Sequence, residues 1–372
     1  MEGKIIPLSF LSFARCPLPV APTGSGGGGA HISPEKGFLN MSKKILLLST
    51  GGTIASAPTE HGLAPAVDGR ELLSRIAPSI QQYQLESEDV LNLDSSNIQP
   101  EEWQVIARRV YRRHLGYDGI VITHGTDTMA YTASALSFML PQIPIPVVFT
   151  GSQLPLADPL SDAWENLRDA FAMAASGQPG IFLCFNRKVS LGCRAVKVRT
   201  TGFDAFESVN CPYAAKVDSR GLRINPSVVR PAAGLCQLKD QLDCRVILIK
   251  LTPGFNPDIF DMLLGMDYRG IVIEAFGIGG LHFIHRDLVS KLQKVTEAGI
   301  SVVVCSQCLY EASDFSVYET GKRILEKGVI QGRDMTSVAA VTKLIWALGQ
   351  TQDPGQVRAL FEPDLAGEIT LD

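Results

Sequence analysis

Two short segments carry hydroxyl groups in a setting that favours acyl transfer: Thr50-Gly51-Gly52-Thr53-Ile54-Ala55 and His124-Gly125-Thr126-Asp127-Thr128. A threonine hydroxyl is a poor nucleophile until a base takes its proton, and acyl transfer also needs donors for the oxyanion. Glycine-flanked loops at helix starts offer both free backbone N–H groups and the positive end of a helix dipole. Asp127 is suited to orient a base or to bind a substrate amine, and a lysine held neutral by burial or nearby cations is suited to be that base. Taken singly, either loop is better explained as a Gly/Thr helix cap. The recurrence of the pattern weighs the other way, because Thr150-Gly151-Ser152-Gln153 is a third loop of the same kind.

Other chemistries find less support. Gly51-Gly52-Thr53 lacks the G-x-G-x-x-G spacing of dinucleotide sites, and neither a phosphate-binding G-K-[ST] nor a G-x-S-x-G elbow occurs. Cys305-Ser306-Gln307-Cys308 is a lone C-x-x-C without a second pair, which favours packing at a strand end over metal or redox work. His282 and His285 form a lone H-x-x-H and read as surface or internally satisfied histidines. No metal and no cofactor is expected.

The elements that must position these loops are apolar runs: Ile45-Leu48, Ile120-Ile122, Val147-Phe149, Ile181-Phe185, Val246-Leu251, Ile271-Ala275 and Val302-Val304. Continuous rather than alternating hydrophobicity means that both faces are covered, the mark of a parallel sheet between helices. Helices are expected from near Pro100, from Thr128 to Leu140 before Pro141, and from Thr336 to Gly349 with Asp334 near its start. In such a sheet ligands bind at the carboxyl ends of strands, and each of the three loops directly follows a strand.

The 372 residues, 45% hydrophobic and 19% charged, provide for a large core and two domains. Ser219 to Asp243, with Gly221, Pro226, Pro231 and Gly234, reads as the connection. The division is then a disordered leader over residues 1–42, a larger domain over 43–228, a linker over 229–243 and a smaller domain over 244–372. The leader is Pro-rich and holds four consecutive glycines, with no amphipathic period to bury. A net charge of −4 supplies no basic field for nucleic acid, and Arg108, Arg109, Arg112 and Arg113 read as a solvated helix face. No apolar run approaches a membrane span. Scattered cysteines in strand-like runs point to reduced, buried thiols and a cytoplasmic setting.

These residues resemble the bacterial-type L-asparaginase family, especially its cytoplasmic type I branch, over nearly all of residues 43 to 372. The motifs that carry the likeness are the three loops extended to Ser49 and through Met129-Ala130-Tyr131, together with Leu93-Asp94-Ser95-Ser96-Asn97, Gly202-Phe203-Asp204-Ala205-Phe206 and Gln307-Cys308. The resemblance implies an α/β, two-domain asparaginase-like fold, with a mostly parallel sheet in the larger domain and a smaller parallel α/β domain after it. It implies hydrolysis of L-asparagine to L-aspartate and ammonia through a threonine acyl-enzyme, in a homodimer or homotetramer.

Residue by residue, the resemblance makes Thr53 the nucleophile of the first loop and Thr126, Asp127 and Lys197 a second threonine triad. Asp94 and Ser95 match positions that hold the substrate's amino and carboxylate groups, and Gly52, Gly125, Thr126, Asp127 and Ser152 complete the binding set. An ammonium and a carboxylate on one small substrate require fixed carboxylates on one side and hydroxyl or N–H donors on the other, which these types supply. Leu63 stands where many members carry a lid tyrosine, so help for Thr53 is expected from Tyr318 instead, and Ser56 to Asp68 is expected to act as a lid. The readings set beside an asparaginase are a glutaminase-asparaginase of broader specificity, an ammonia-supplying component of a glutamyl-tRNA amidotransferase, and an inactive amino-acid-binding protein. Because the amidotransferase component has an additional folded amino-terminal domain, residues 1–40 read as too short and glycine-rich for that assignment.

Overall fold

The three loops leave one edge of a twisted eight-stranded sheet, seen in a computed structural model that describes residues 42–59, 62–65, 67–317 and 319–370. The expected leader, apart from Ser42, lies outside the described residues, as does Tyr318. In chain order the first lobe holds β1 (Lys44–Gly51), the ribbon β2 (Ser56–Thr59) and β3 (Gly62–Pro65), β4 (Gln84–Leu93), β5 (Gly119–Thr123), β6 (Pro146–Thr150), β7 (Gly180–Phe185), β8 (Lys188–Leu191), the pair β9 (Ala195–Lys197) and β10 (Phe206–Ser208), β11 (Ala215–Asp218) and β12 (Gly221–Ile224). Its main helices are α1 (Gly69–Ile76), α2 (Pro100–Arg113), α3 (Met129–Met139) and α4 (Ala163–Ala174).

The large sheet runs β12-β11-β8-β7-β6-β5-β1-β4, with β4, β1, β5, β6 and β7 mutually parallel and β8, β11 and β12 antiparallel at one end. Strand β1 lies between β4 and β5, so the chain leaves it in one direction and returns on the other side. Alternate residues of β1 face opposite layers: Leu46 and Leu48 pack with Trp103, Ile106 and Val110 of α2, whereas Ile45 and Leu47 pack with Leu72 and Ile76 of α1. Helices that leave on opposite faces open a crevice at the carboxyl ends of β1 and β5, the switch point where open α/β sheets bind ligands.

The second lobe comprises β13 (Val246–Lys250), β14 (Gly270–Ala275), β15 (Ser301–Ser306) and β16 (Ile330–Gln331), all parallel in that order, with α5 (Ile259–Leu264), α6 (Leu288–Glu297), α7 (Glu319–Glu326), α8 (Ser337–Gln350) and α9 (Pro354–Phe361). This is the two-domain α/β architecture expected from the sequence, a larger, mostly parallel sheet followed by a smaller parallel one. The lobes share a core, since Phe138 and Leu136 of α3, Leu344 and Trp346 of α8, and Val272 and Val303 of the smaller sheet belong to one buried cluster. Lys343 of α8 is fully buried, and its ammonium donates to Glu368 Oε1 at 2.5 Å and to the carbonyls of Phe361 and Pro363 at 2.6 Å each.

Helix α8 begins where the sequence places it, capped by Thr336, whose hydroxyl accepts from Ala339 N at 3.0 Å, while Asp334, two residues earlier, is buried. Two sequence expectations need correction. Strand β12 occupies the first part of the stretch read as a connection, and regular structure is absent only from residues 225–245, before β13. The α2 arginines stay exposed yet are not merely solvated: Arg109 and Arg113 pair with Glu88 on edge strand β4, and Arg108 pairs with Asp240. Charges laid along an edge strand protect it from pairing with another chain. The described cysteines are free thiols, with Cys184, Cys193 and Cys305 buried. No helix among the described residues is long and apolar enough to cross a membrane.

Candidate active site

Strand register brings the motifs together. Ser49 pairs with Thr123 and Thr123 with Thr150, while Gly51 pairs with Leu93, so the loops beginning at Thr50, His124, Gly151 and Asp94 leave the sheet side by side. Buried threonines at the strand ends fasten them: the Thr50 hydroxyl donates to Thr123 O at 2.8 Å, and Thr150 donates to Cys184 O at 3.0 Å. His124 N donates to Thr150 O at 2.9 Å. These hydroxyls are saturated by carbonyls, which makes them structural.

Gly52 shows why the first loop needs glycine. Its φ is 84°, and a Cβ there would stand 2.6 Å from Gly125 Cα, inside van der Waals contact with the second loop's backbone. Gly125 is pressed in turn against Ser95, whose Oγ would lie 2.6 Å from an added Cβ. The first two loops therefore meet backbone to backbone, and the third reaches them through the Ser95 side chain. Thr53 opens a short 3-10 turn, Thr53–Ala55, immediately after Gly52, and what joins it to the second threonine loop is this backbone contact.

Around Thr126 the side chains converge. Lys197 Nζ lies 2.8 Å from Thr126 Oγ1 and 2.6 Å from Asp127 Oδ1. The lysine is brought across 71 residues of sequence by β9, which pairs antiparallel with β10. Three residues earlier, Arg194 is 1% exposed; its guanidinium bonds Asp334 Oδ2 at 2.9 Å and Gly367 O at 2.6 Å, fixing the lysine-bearing segment to the carboxyl-terminal residues. A buried, paired arginine of this kind is costly to desolvate and therefore locates its segment firmly. Its sequence neighbourhood gives no sign of this role, because nothing in the residue type reveals a buried partner 140 residues away.

The expected binding residues divide into two groups. The Asp94 carboxylate accepts from the Ser96 hydroxyl at 2.5 Å and from Ser96 N at 2.8 Å, which holds it below the usual carboxylate range and keeps it anionic beside the crevice. Asp127 presents a side chain 64% exposed, paired on one oxygen with Lys197. These two anions suit an ammonium group. Ser95 and Ser152 are instead buried and engaged: Ser95 Oγ accepts from Asp127 N at 3.3 Å and its carbonyl accepts from Thr128 Oγ1 at 2.6 Å, while the Ser152 hydroxyl donates to Leu154 O. Leu63 lies in the β2–β3 ribbon opposite Pro58, and the expected helper Tyr318 lies outside the described residues.

His124 sits beneath this loop, fully buried, and burial pushes its imidazole down to about 4. Its Nδ1 is 2.7 Å from Gly125 O and its Nε2 is 2.9 Å from Thr132 Oγ1, so a neutral ring with the proton on Nδ1 satisfies both. Histidine serves here as an internal strut.

A family model described as Asparaginase, N-terminal matches residues 44–230, and one described as Glutaminase/Asparaginase C-terminal domain matches residues 245–361. The chain belongs to the asparaginase family. Within it, an L-asparaginase of Thermococcus kodakarensis is 45% identical over 330 residues, covering 88% of this chain and 99% of that protein. A glutamyl-tRNA(Gln) amidotransferase component of Methanosphaera stadtmanae is 35% identical over 90% of this chain and 78% of its own length. Among solved structures, the thermostable L-asparaginase from T. kodakarensis superposes with a TM-score of 0.83 at 44% identity, over 88% of this chain and 100% of its own. L-asparaginase I from Vibrio cholerae gives a TM-score of 0.80 at 32% identity, over 88% and 99% respectively. This asparaginase-family member is an amidohydrolase by descent.

Proposed function

We propose that the chain is an L-asparaginase, releasing ammonia from L-asparagine through a threonine acyl-enzyme. The observation that carries this is the forked contact of Lys197 with Thr126 and Asp127 at the mouth of the glycine-lined crevice. Asp94 and Asp127 hold the substrate ammonium, and backbone N–H groups and hydroxyls of the loops receive the carboxylate. Thr53 attacks the side-chain amide carbon. Its proton passes through the bound set to the leaving nitrogen, the C–N bond breaks and ammonia departs. Water activated by Thr126 and Lys197 then cleaves the ester to aspartate and restores Thr53.

The 45% identity to the Thermococcus L-asparaginase supports asparagine as the substrate. Glutamine differs by one methylene, worth only about 1 to 3 kcal/mol of discrimination. A coupled ammonia assay on both amides, with Thr53→Ala and Thr126→Ala alongside, tests the reading: asparagine should be the better substrate, and each variant should lose ~10^3-fold or more in kcat. Retained turnover in either variant would remove that threonine from the mechanism. The amidotransferase relatives carry a second reading, a component of that enzyme; rapid hydrolysis of free asparagine without tRNA or added protein favours the first. A cytoplasmic homodimer or homotetramer accompanies the proposal. Exposed Leu248 on edge strand β13, together with exposed Met262 and Met266, supports assembly, which light scattering measures.

A further inference from the structure

We infer that Gln153 is a positioning residue for the Thr126–Lys197 pair: it accepts the Thr126 hydroxyl proton in the resting enzyme and fastens the lysine-bearing hairpin to that threonine. The inference rests on the reading that Thr126 and Lys197 exchange a proton during amide hydrolysis. Thr126 Oγ1 donates to Gln153 Oε1 at 3.3 Å, while Gln153 Nε2 donates to Thr200 O and Gly202 O, each at 3.1 Å. Those two carbonyls lie in the turn between β9 and β10, directly after Lys197. They also fix the amide's orientation, because a flipped amide would set its oxygen against two carbonyl oxygens and point its NH2 at the hydroxyl.

The Thr126 hydroxyl has a single proton. With the Lys197 ammonium donating to its oxygen at 2.8 Å, that proton must turn elsewhere, and Gln153 Oε1 takes it. When Lys197 is neutral the hydroxyl must swing round and donate to the amine. A 3.3 Å bond lies beyond the usual optimum, so it defines the resting direction without holding the proton tightly. Gln153 is itself anchored, its backbone N–H donating to both Asp162 oxygens at 3.0 and 3.1 Å, and Asp162 is steadied by buried Asn166 at 3.0 Å. The charged groups about this set are Asp162, bonded to the Gln153 backbone, Asp127, which holds Lys197, and on the hairpin Arg199, Asp204 and Glu207, where Arg199 pairs with both carboxylates.

The test is steady-state hydrolysis of asparagine by Gln153→Leu, Gln153→Glu and Thr126→Ala, each with a thermal melt. Gln153→Leu is expected to lower kcat ~10- to 100-fold with KM changed by less than about 3-fold, as a displaced proton-transfer pair requires. In Gln153→Glu a protonated carboxyl imitates the amide, donating to a turn carbonyl and accepting from Thr126, whereas the ionised form repels the turn. Its kcat relative to wild type should therefore rise as pH falls from about 7 to about 4, into the carboxyl range. A glutamine that only filled space, without these hydrogen bonds, would give a ratio independent of pH. The inference is overturned by a Gln153→Leu kcat within about 2-fold of wild type, or by a flat Gln153→Glu ratio. If Thr126→Ala abolishes hydrolysis while Gln153→Leu leaves it intact, only this inference falls; an active Thr126→Ala sinks the reading beneath it.

Discussion

The two sheets of this molecule are built alike, with parallel apolar strands whose carboxyl ends open into loops, yet only the first gathers the proposed threonine, lysine and aspartate groups among the described residues. At the first sheet Gly52 lies so close to Gly125 that no side chain fits between the loops, and hydroxyl, ammonium and carboxylate groups converge on Thr126. At the second sheet Gly254, φ 91°, has open space around the position of a Cβ, so it serves a turn rather than an approach. There the strand ends are closed by Gln307, whose amide donates to Leu251 O at 2.6 Å and to Glu274 O at 3.0 Å. Parallel architecture provides a crevice at either edge. At the first edge the close approach of Gly52 to Gly125 sets the threonine loops side by side, and Lys197 of β9 reaches Thr126 and Asp127 there.

The largest effect should come from α8, which packs between α3 of the first lobe and the second sheet. Lys343→Met strands the Glu368 carboxylate in the core beneath α8 and should cost about 3–5 kcal/mol; chemical denaturation measures it, and a loss below about 1 kcal/mol would show that this buried pair does not hold the carboxyl-terminal segment to α8. Gly52→Ala forces the first loop away from the second and should remove about 3 kcal/mol of stability, together with ~10^2-fold or more of asparagine turnover. Undiminished activity there would break the contrast between the edges.

His124 gives a pH signature confined to the first edge. Its folded-state value is depressed to about 4 from an ordinary 6.5, so the unfolded chain binds the proton first. The neutral ring's contribution is present above pH 6.5 and is lost as pH falls towards 4, to a total of about 3 kcal/mol. Denaturation curves of wild type and His124→Asn should therefore converge as the solution is acidified; parallel curves would refute the burial of a neutral ring. The smallest effect is expected at the second edge, where Gly254→Ala should cost about 1 kcal/mol for its positive φ and leave hydrolysis unchanged.

Much of the fold was legible because buried parallel strands leave unbroken apolar runs. Residues Ile45–Leu48, Ile120–Ile122, Val147–Phe149 and Ile181–Phe185 all lie inside observed strands. Edge strand β4 was not, since its residues alternate in burial and carry Glu86, Glu88 and Asp89, the signature of a half-exposed strand paired on one side. The short β8 to β12 escaped for a similar reason, being too brief and polar to stand out from loops. Within the candidate site, residue types announced Thr126, Asp127 and the glycines, whereas Gln153 and Arg194 were visible only as neighbours of chosen residues.

The sequence by itself determined which reactive types follow which strands, for a loop's position after an apolar run is a local property. Tertiary structure alone decided that Ser49, Thr123 and Thr150 stand abreast, that Lys197 returns to Thr126, and that Gln153 turns its oxygen towards the hydroxyl. Register and hydrogen-bond direction are set by partners far along the chain, and no local pattern encodes which of several possible acceptors a hydroxyl will meet.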